Sequence, residues 1–317
     1  MAESLGDSAF VRAPARADAL AAFACPSAPP LCAGGQLAED VAQGAPSALQ
    51  CPDAQSLCAD GRLAEDGAQG APSALARPGE RIDDLQRDGL VILQRPGTFC
   101  FGTDSVLLAD FAAPKKAERV ADLGTGTGVL CLLMAASQRE ATFDAVELQP
   151  EMADMARRSV LMNHLEDRIF VHPLDMREAP AKLGFCTHTL VVCNPPYRAA
   201  CALPDGVPDA LRHARFLTSL SLYDVASSGA RLLKNGGRMA LVFPAERMLT
   251  LMQALVRANL APKRVQLVHN KPGSAPKLVL LDAVKDGHAG LQWLPPLILR
   301  DADGKMSEAW RRIYRRD

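Results

Sequence analysis

The sequence predicts an α/β protein with a mostly parallel central sheet, helices on both faces and a disordered tail before it. Short apolar segments alternate with segments of helical periodicity from residue 119 onward, at the spacing of β-α-β units. A glycine-rich loop follows one of these apolar segments and a proline-rich loop follows another. Such loops meet at one edge of a parallel sheet, which is where ligands bind.

The first part of the chain, residues 1–78, differs in composition from the rest. It is rich in Ala, Pro, Gly and Ser, and it holds four Arg against nine Asp and Glu. Residues 79–317 hold 31 basic and 27 acidic residues. Because the first part has little apolar area to offset chain entropy, we expect a disordered tail at 1–78 and one globular domain at 79–317.

The tail contains a tandem repeat. Residues 25–49 match residues 51–75 at 19 of 25 positions, with a spacing of 26 residues. Each copy carries two cysteines separated by six residues. This separation is longer than is usual in zinc sites, so we interpret the repeat as a duplicated linker and expect no metal.

Length, charge and cysteine content exclude several classes of protein. The net charge of −1 excludes a histone-like polycation, and no apolar run is long enough to predict a membrane-spanning helix. The first 24 residues contain Glu3 and Asp7 and no sustained apolar stretch, unlike a secretory signal. Nine cysteines, an odd number, are typical of reduced thiols. We therefore expect a cytoplasmic protein.

Turn residues and periodicity predict the elements of the domain. A hairpin is predicted over 81–93, with Asp88-Gly89 as its turn. A helix over 105–111 is expected to be capped by Thr103 or Asp104. The other predicted strands are 119–123, 143–147, 169–173, 190–193 and 238–243, and the other predicted helices are 129–137, 150–165 and 210–233. Asn235-Gly236-Gly237 is expected to stop the last helix.

The glycine-rich loop predicts a nucleoside-containing ligand. Its residues are Asp122, Leu123, Gly124, Thr125, Gly126, Thr127 and Gly128. Glycines let the backbone turn tightly and approach a ligand without a Cβ atom. Glu147 ends the next strand and can accept hydrogen bonds from both hydroxyls of a ribose. Because Val129 stands at the last position of the dinucleotide fingerprint, the pattern fits S-adenosylmethionine better than NAD.

The proline-rich loop indicates the reaction class. Asn194, Pro195, Pro196 and Tyr197 follow the strand 190–193. An amino group on an sp² carbon is a poor nucleophile because its lone pair is delocalised. The Asn194 side-chain oxygen and the Pro195 carbonyl can grip its two N–H bonds, while the two prolines fix the backbone and Tyr197 stacks on a planar base or amide. The loop therefore predicts methyl transfer to an amino nitrogen, helped chiefly by proximity.

The two loops together resemble the class I methyltransferases that use S-adenosylmethionine to methylate amino groups. Within them the chain is similar to the tRNA1(Val) (adenine(37)-N6)-methyltransferase family over residues 80–314. The similar segments are 80–85, 101–109, 271–276, 296–299, 303–304 and 313–314. The resemblance implies a Rossmann-like class I methyltransferase fold, S-adenosylmethionine as cofactor and tRNA as partner. We expect no membrane association, since no long apolar run is present, and no obligate protein partner.

The resemblance also implies roles for individual residues. Gly124, Gly126 and Glu147 would line the cofactor site together with Asp122, Thr125 and Gly128 of the same loop. Asp175 and Met176 would lie at the cofactor's adenine, Phe101, Gly102 and Asp104 would close over its methionine end, and Asn194 and Tyr197 would hold the target. The chain departs from the family after His213, where Ala-Arg-Phe-Leu stands in place of the common Ala-Arg-His-Glu.

Other functions stay open at this point. A release-factor glutamine methyltransferase also uses Asn-Pro-Pro-Tyr, but it usually carries a helical domain before the glycine loop. A guanine-N2 rRNA methyltransferase is a second alternative, a DNA adenine methyltransferase would need a target-recognition domain, and a non-catalytic RNA-binding module is the alternative from another class.

Charge near the end of the chain gives modest support for nucleic-acid binding. Residues 263–317 hold eleven Lys and Arg against six acidic residues. Arg311, Arg312, Arg315 and Arg316 surround Tyr314. They fit either a phosphate-binding patch or the solvated face of a terminal helix.

Overall fold

The computed structural model describes residues 75–96, 101–195 and 220–314. Its strands are β1 (Arg81–Asp84), β2 (Val91–Gln94), β3 (Arg119–Leu123), β4 (Thr142–Glu147), β5 (Ile169–Pro173), β6 (His188–Cys193), β7 (Leu233–Pro244), β8 (Leu260–His269), β9 (Pro276–Lys285), β10 (Gln292–Trp293) and β11 (Leu297–Ile298). Its α-helices are α1 (Thr103–Ala112), α2 (Val129–Ser137), α3 (Pro150–Met162), α4 (Ala179–Leu183), α5 (Leu222–Leu232), α6 (Met248–Arg257) and α7 (Glu308–Tyr314). The tandem repeat, apart from Leu75, lies outside the described residues.

Strands β3 to β11 form one sheet, in the order β10-β8-β9-β7-β6-β3-β4-β5, with β11 also paired to β8. Strands β3 to β7 pair in parallel, and β9 runs antiparallel between β7 and β8. This confirms the predicted α/β class with a mostly parallel sheet. After β5 the chain returns to the other side of β3, so the strand order reverses between β3 and β6. Ligands bind at the carboxyl ends of strands at such a reversal.

Side chains of alternating residues place one core on each face of the sheet. Val192 and Val242 belong to the core that includes the buried residues of α1 and α2. Their neighbours Val191 and Leu241 belong to the core that includes those of α5 and α6. This alternation follows from the two-residue period of a strand. Among the described helices, none is both long and apolar enough to cross a membrane.

The predicted hairpin is confirmed and forms a sheet of its own. β1 and β2 pair antiparallel, and Asp88 and Gly89 have φ angles of 51° and 72° in the turn. The outer edge of β2 lies along α3. There the Asn163 side chain accepts from the Val91 nitrogen at 2.9 Å and donates to its carbonyl at 2.7 Å, while Ser159 Oγ accepts from the Leu93 nitrogen at 3.0 Å. Ser159 of α3 and Asn163, which follows the helix, thus satisfy backbone groups that a neighbouring strand would otherwise bond.

An ionic cluster ties the segment before the hairpin to α3. The Glu80 side chain is fully buried and accepts from the Arg158 guanidinium at 2.6 and 2.8 Å. This bond lowers the pKa of Glu80 to about 2. Arg158 also donates to the Leu75 carbonyl at 2.7 Å, and Arg77 pairs with Asp154 at 2.8 Å. Contacts with the domain therefore begin before residue 79.

The start of α1 differs from the prediction. The helix begins at Thr103 with Gly102 as its N-cap, and no side chain caps it. The prediction of a cap by Thr103 or Asp104 is therefore wrong. The carbonyl of Gly102, in extended backbone, accepts from the Ser105 nitrogen at 3.2 Å and starts the helix earlier than predicted.

Two other predicted helices have different bounds. α3 ends at Met162 rather than at residue 165, because Asn163 turns to the hairpin and His164 takes a φ of 53°. α5 begins at Leu222, where Ser221 and Asp224 form a reciprocal capping box. A helix continuous from residue 210 is therefore wrong, and residues 210–219 lie outside the described residues.

The second half of the sheet extends beyond the prediction. β7 begins at Leu233 rather than at residue 238, since β6 pairs with it at that point, and the predicted stop at residues 235–237 lies within the strand. α4, α6 and β8 were not predicted. The segment 271–276 leads from β8 into β9, which pairs antiparallel with it.

Candidate active site

A cavity lies at the carboxyl ends of β3, β4 and β6, beside the first turn of α1. The predicted site residues that line it are Phe101, Asp104, Gly124, Thr125, Gly126, Glu147, Asp175, Met176, Asn194 and Pro195. The described residues Gly102, Asp122 and Gly128 adjoin lining residues in sequence but are not part of the lining. Pro196 and Tyr197 lie outside the described residues. The structure thus brings together residues from segments up to 94 positions apart in the chain.

The loop between β3 and α2 depends on its glycines. Gly124, Gly126 and Gly128 have φ angles of 79°, 60° and 93°, which other residues rarely adopt. The nitrogens of Gly124 and Thr125 both donate to the Val146 carbonyl at 2.9 Å. The loop is therefore fixed to the end of β4 by backbone hydrogen bonds.

Asp122 holds this loop in place through a buried hydrogen bond. Its side chain is fully buried, and its Oδ2 atom accepts from the Thr125 hydroxyl at 2.6 Å. The thiol of Cys131 lies 3.6 Å from the same oxygen. Burial raises the pKa of Asp122 to about 7. Among the described residues, its Oδ1 atom has no hydrogen-bond partner.

Glu147 joins the glycine loop to the next strand. Its two carboxylate oxygens accept from the nitrogens of Gly126 at 2.9 Å and Gln149 at 2.8 Å. Burial raises its pKa. A carboxylate has about four acceptor positions, so two remain after these bonds. Glu147 lines the cavity and can accept from the paired hydroxyls of a ribose there.

Several residues that line the cavity were missed by sequence reasoning, among them Gln149, Met152 and Arg177. Arg177 pairs with Asp175 through two nitrogens, with distances of 2.5 to 3.1 Å, and this bond lowers the pKa of Asp175. Gln149 and Met152 line the cavity after β4. No motif marks these residues, although their places just after predicted strands could have suggested them.

Asn194 follows β6 and reaches the start of α1. Its side-chain nitrogen donates to Ser105 Oγ at 3.3 Å. Ser105 lines the cavity and is otherwise buried, with 2% of its surface exposed. The bond uses the donor end of the amide, so the oxygen of Asn194 is the end left for a ligand. Sequence reasoning did not identify Ser105.

The residues present fit S-adenosylmethionine. Glu147 supplies acceptors for a ribose, and the side chains of Met152 and Met176 supply apolar surface for a purine. A Cβ atom added at Gly124 would lie 3.6 Å from the Met176 methyl, and one at Gly126 would lie 3.9 Å from the Met152 methyl. Side chains at these positions would therefore occupy space that the glycines leave to a ligand.

Comparison with known proteins adds to this geometry. Residues 89–261 match the family described as the methyltransferase small domain. A protein of Tolumonas auensis is 34% identical over 182 residues, which are 57% of this chain and 74% of that protein. One of Shewanella amazonensis is 33% identical over 214 residues, which are 67% of this chain and 89% of that protein. Both relatives are named tRNA1(Val) (adenine(37)-N6)-methyltransferase.

One solved structure shows the same fold. It is described as a predicted O-methyltransferase from Agrobacterium tumefaciens, and it is similar to this chain with a TM-score of 0.55 and 24% identity. The similarity covers 67% of this chain and 96% of that one. It concerns the architecture of the sheet and helices.

Proposed function

Given that the chain belongs to the methyltransferase small domain family, and within it to the tRNA1(Val) (adenine(37)-N6)-methyltransferases, we propose that it methylates N6 of an adenine in a tRNA anticodon loop. The enzyme is an S-adenosylmethionine-dependent methyltransferase, and we place its action in the cytoplasm. The observation that carries the proposal is the position of Asn194, which shares one cavity with Glu147 and the glycine loop.

The cofactor side of the cavity is proposed to hold the methyl donor. S-adenosylmethionine, when bound, supplies an electrophilic methyl group on a sulfonium. Glu147 accepts from the ribose hydroxyls, and Gly124 and Gly126 let the ligand approach the backbone. Asp175 and Met176, which line the same cavity, are proposed to contact the adenine of the cofactor.

The target side is proposed to prepare the amino group. The Asn194 oxygen and the Pro195 carbonyl accept from the two N–H groups of the target and draw the nitrogen toward tetrahedral geometry. Its lone pair would then be less delocalised and able to take the methyl group in line from a bound cofactor, whose sulfonium would leave as a neutral thioether while the amino group loses one proton to solvent. Because Ser105 bonds the nitrogen of Asn194, the oxygen of the amide is left for this task.

The surface of α7 supports an RNA substrate. Trp310 and Ile313 are buried in the core, and Trp310 makes an edge-to-face contact with Tyr314 at 4.5 Å. The helix is thereby held with Arg311 and Arg312 exposed to solvent, where they can contact phosphates. Bases of an anticodon loop are unpaired, so presenting one to the cavity costs little unstacking energy.

Replacing Asn194 tests the proposal. Asn194→Ala should leave the melting temperature and S-adenosylmethionine affinity near those of the wild type, because the side chain is assigned no role in cofactor binding. Methyl transfer to unmodified tRNA should fall by about a hundredfold or more, the scale for losing one preorganised polar contact at a reacting centre. Asn194→Asp keeps an acceptor in nearly the same volume and should retain more activity than Ala.

Asn235→Ala is the matched control, since this exposed asparagine lies at the far end of β7. It should transfer methyl groups at the wild-type rate. A wild-type rate for Asn194→Ala would show that the mechanism is wrong. Wild-type enzyme that methylates a release-factor glutamine but no tRNA would show that the proposed substrate is wrong.

A further inference from the structure

Ser105 is a buried polar residue in the first turn of α1, and the three positions after it are apolar. Val106, Leu107 and Leu108 follow it in α1 and are buried in the core. A buried hydroxyl needs a hydrogen-bond partner, since leaving it without one costs free energy. The partner here is the side-chain nitrogen of Asn194, which is 89 residues away in sequence and 3.3 Å away in space.

The amide of Asn194 needs such an anchor if it is to act on a target amino group. An asparagine side chain has an acceptor end and a donor end of nearly equal size, and rotation about its last bond exchanges them. Only the acceptor end can hold an N–H group of the target. A side chain free to rotate would spend part of its time with the wrong end, or in the wrong place, at the moment of reaction.

We propose that Ser105 is a positioning residue for methyl transfer, whose hydroxyl anchors the nitrogen of Asn194 so that the oxygen faces the target. The proposal rests on the function proposed above and adds a residue to it. The bond to Ser105 fixes the position of the Asn194 amide. Because a hydroxyl can donate as well as accept, this bond alone does not select which end of the amide faces the target. The N–H donors of the target then favour the orientation in which Oδ1 faces them, because two donors placed together repel.

The position of Ser105 makes it suited to this role. It lies in the first turn of α1, close to Phe101 and Asp104, which line the same cavity. α1 packs against the sheet through its buried apolar residues, so its first turn is a rigid support. Asn194 is thus tied to a helix that belongs to the core.

A double-mutant cycle separates positioning through Asn194 from a merely structural role. Ser105→Ala should lower the single-turnover rate of methyl transfer by about tenfold, since misplacing a reacting group by a fraction of an ångström has effects of this scale. Its S-adenosylmethionine affinity and its KM for tRNA should change less than about twofold. In the Asn194→Ala background, Ser105→Ala should change the residual rate less than about twofold. Rates are followed with radiolabelled S-adenosylmethionine and unmodified tRNA.

Two further variants keep the result interpretable. Ser159→Ala removes another buried serine hydroxyl, which bonds the Leu93 nitrogen away from the cavity, and it should lower stability without changing the rate. Ser105→Cys has nearly the same volume but only a weak acceptor, so it repeats the cycle if the alanine variant does not fold.

The outcomes distinguish this proposal from the one on which it rests. A wild-type rate for Ser105→Ala, together with a slow Asn194→Ala, would overturn the role of Ser105 alone. Equal losses from Ser105→Ala in both backgrounds would show that Ser105 acts independently of Asn194 and would also overturn it. A wild-type rate for Asn194→Ala would overturn the mechanism itself.

Discussion

The two sides of the cavity are built in different ways. On the cofactor side, the nitrogens of Gly124, Thr125 and Gly126 are held by the Val146 carbonyl and the Glu147 carboxylate. On the target side, the side chain of Asn194 is held by a hydrogen bond to the side chain of Ser105. Backbone conformation thus determines the shape of the first side, and side chains determine the second. Substitutions on the cofactor side should change binding, whereas those on the target side should change rate.

The largest expected effect is the loss of cofactor binding in Gly126→Val. Gly126 has a φ of 60°, and a branched side chain there would enter the space beside Met152. S-adenosylmethionine affinity, measured by calorimetry, should fall below detection. Gly236→Val is the matched control, because Gly236 has a φ of 75° and open space around its Cα atom. It should bear the same backbone strain and bind normally, and equal losses in both variants would contradict the blocking argument.

A smaller loss of affinity is expected for Glu147→Gln. The substitution puts an amide nitrogen against either Gly126 or Gln149, whose own nitrogens are donors, and it removes an acceptor from the ribose site. Cofactor affinity should fall by about ten- to a hundredfold, the range of one or two lost charge-assisted hydrogen bonds. Glu151→Gln makes the same change at a side chain that is 77% exposed and should bind normally. Unchanged cofactor affinity in Glu147→Gln would show that this carboxylate does not bind the cofactor.

The cofactor side also depends on α3, which carries Met152. This helix is held by the ion pair between its Arg158 and Glu80. The pKa of Glu80 is lowered from 4.5 to about 2, so its contribution to stability is present above pH 4.5 and is lost as the pH falls toward 2. By linkage this contribution is on the order of 3 kcal/mol. Glu80→Gln should lower the free energy of unfolding at pH 7 by about 2–3 kcal/mol and flatten its decline between about pH 5 and 2.

Chemical denaturation over this pH range measures the effect. Glu140→Gln is the control, since Glu140 pairs with Lys116 on the surface and is 55% exposed. It should cost less than about 1 kcal/mol. A pH dependence of Glu80→Gln that matches the wild type would show that the buried ion pair does not set the acid limit of stability.

The smallest effects are expected from removing the tail. A chain starting at Leu75 should keep the melting temperature and the methyl-transfer rate, because the contacts of Leu75, Arg77 and Glu80 with α3 are all retained. A chain starting at Gly79 loses the carbonyl of Leu75 and the Arg77–Asp154 pair, and its melting temperature should fall by about 2–4 °C. Large losses for the longer chain would show that the repeat takes part in folding or in substrate binding.

Several elements could be predicted from sequence because their limits are local. β3, α2 and β5 have the predicted bounds, since their apolar runs are bounded by glycine, proline or polar residues. β7 has an earlier start than predicted because β6 pairs with it from Leu233, despite the glycines at 236 and 237. Pairing across the sheet therefore overrides a local signal, and it cannot be read from the segment alone.

The sequence by itself determined the fold class and the place of the glycine loop, because each depends on residue type and short spacing, while the role of Asn194 stays a prediction. The tight turn after β3 requires a positive φ at Gly124, which depends on the glycine alone. The predicted end of β4 already placed the carboxylate of Glu147 at the edge of the sheet. Only the tertiary structure decided that Asp122 lies behind the loop and that Ser105 meets Asn194. Such contacts depend on the order of strands and on the packing of α1 against the sheet. Neither can be predicted from the periodicity of the sequence.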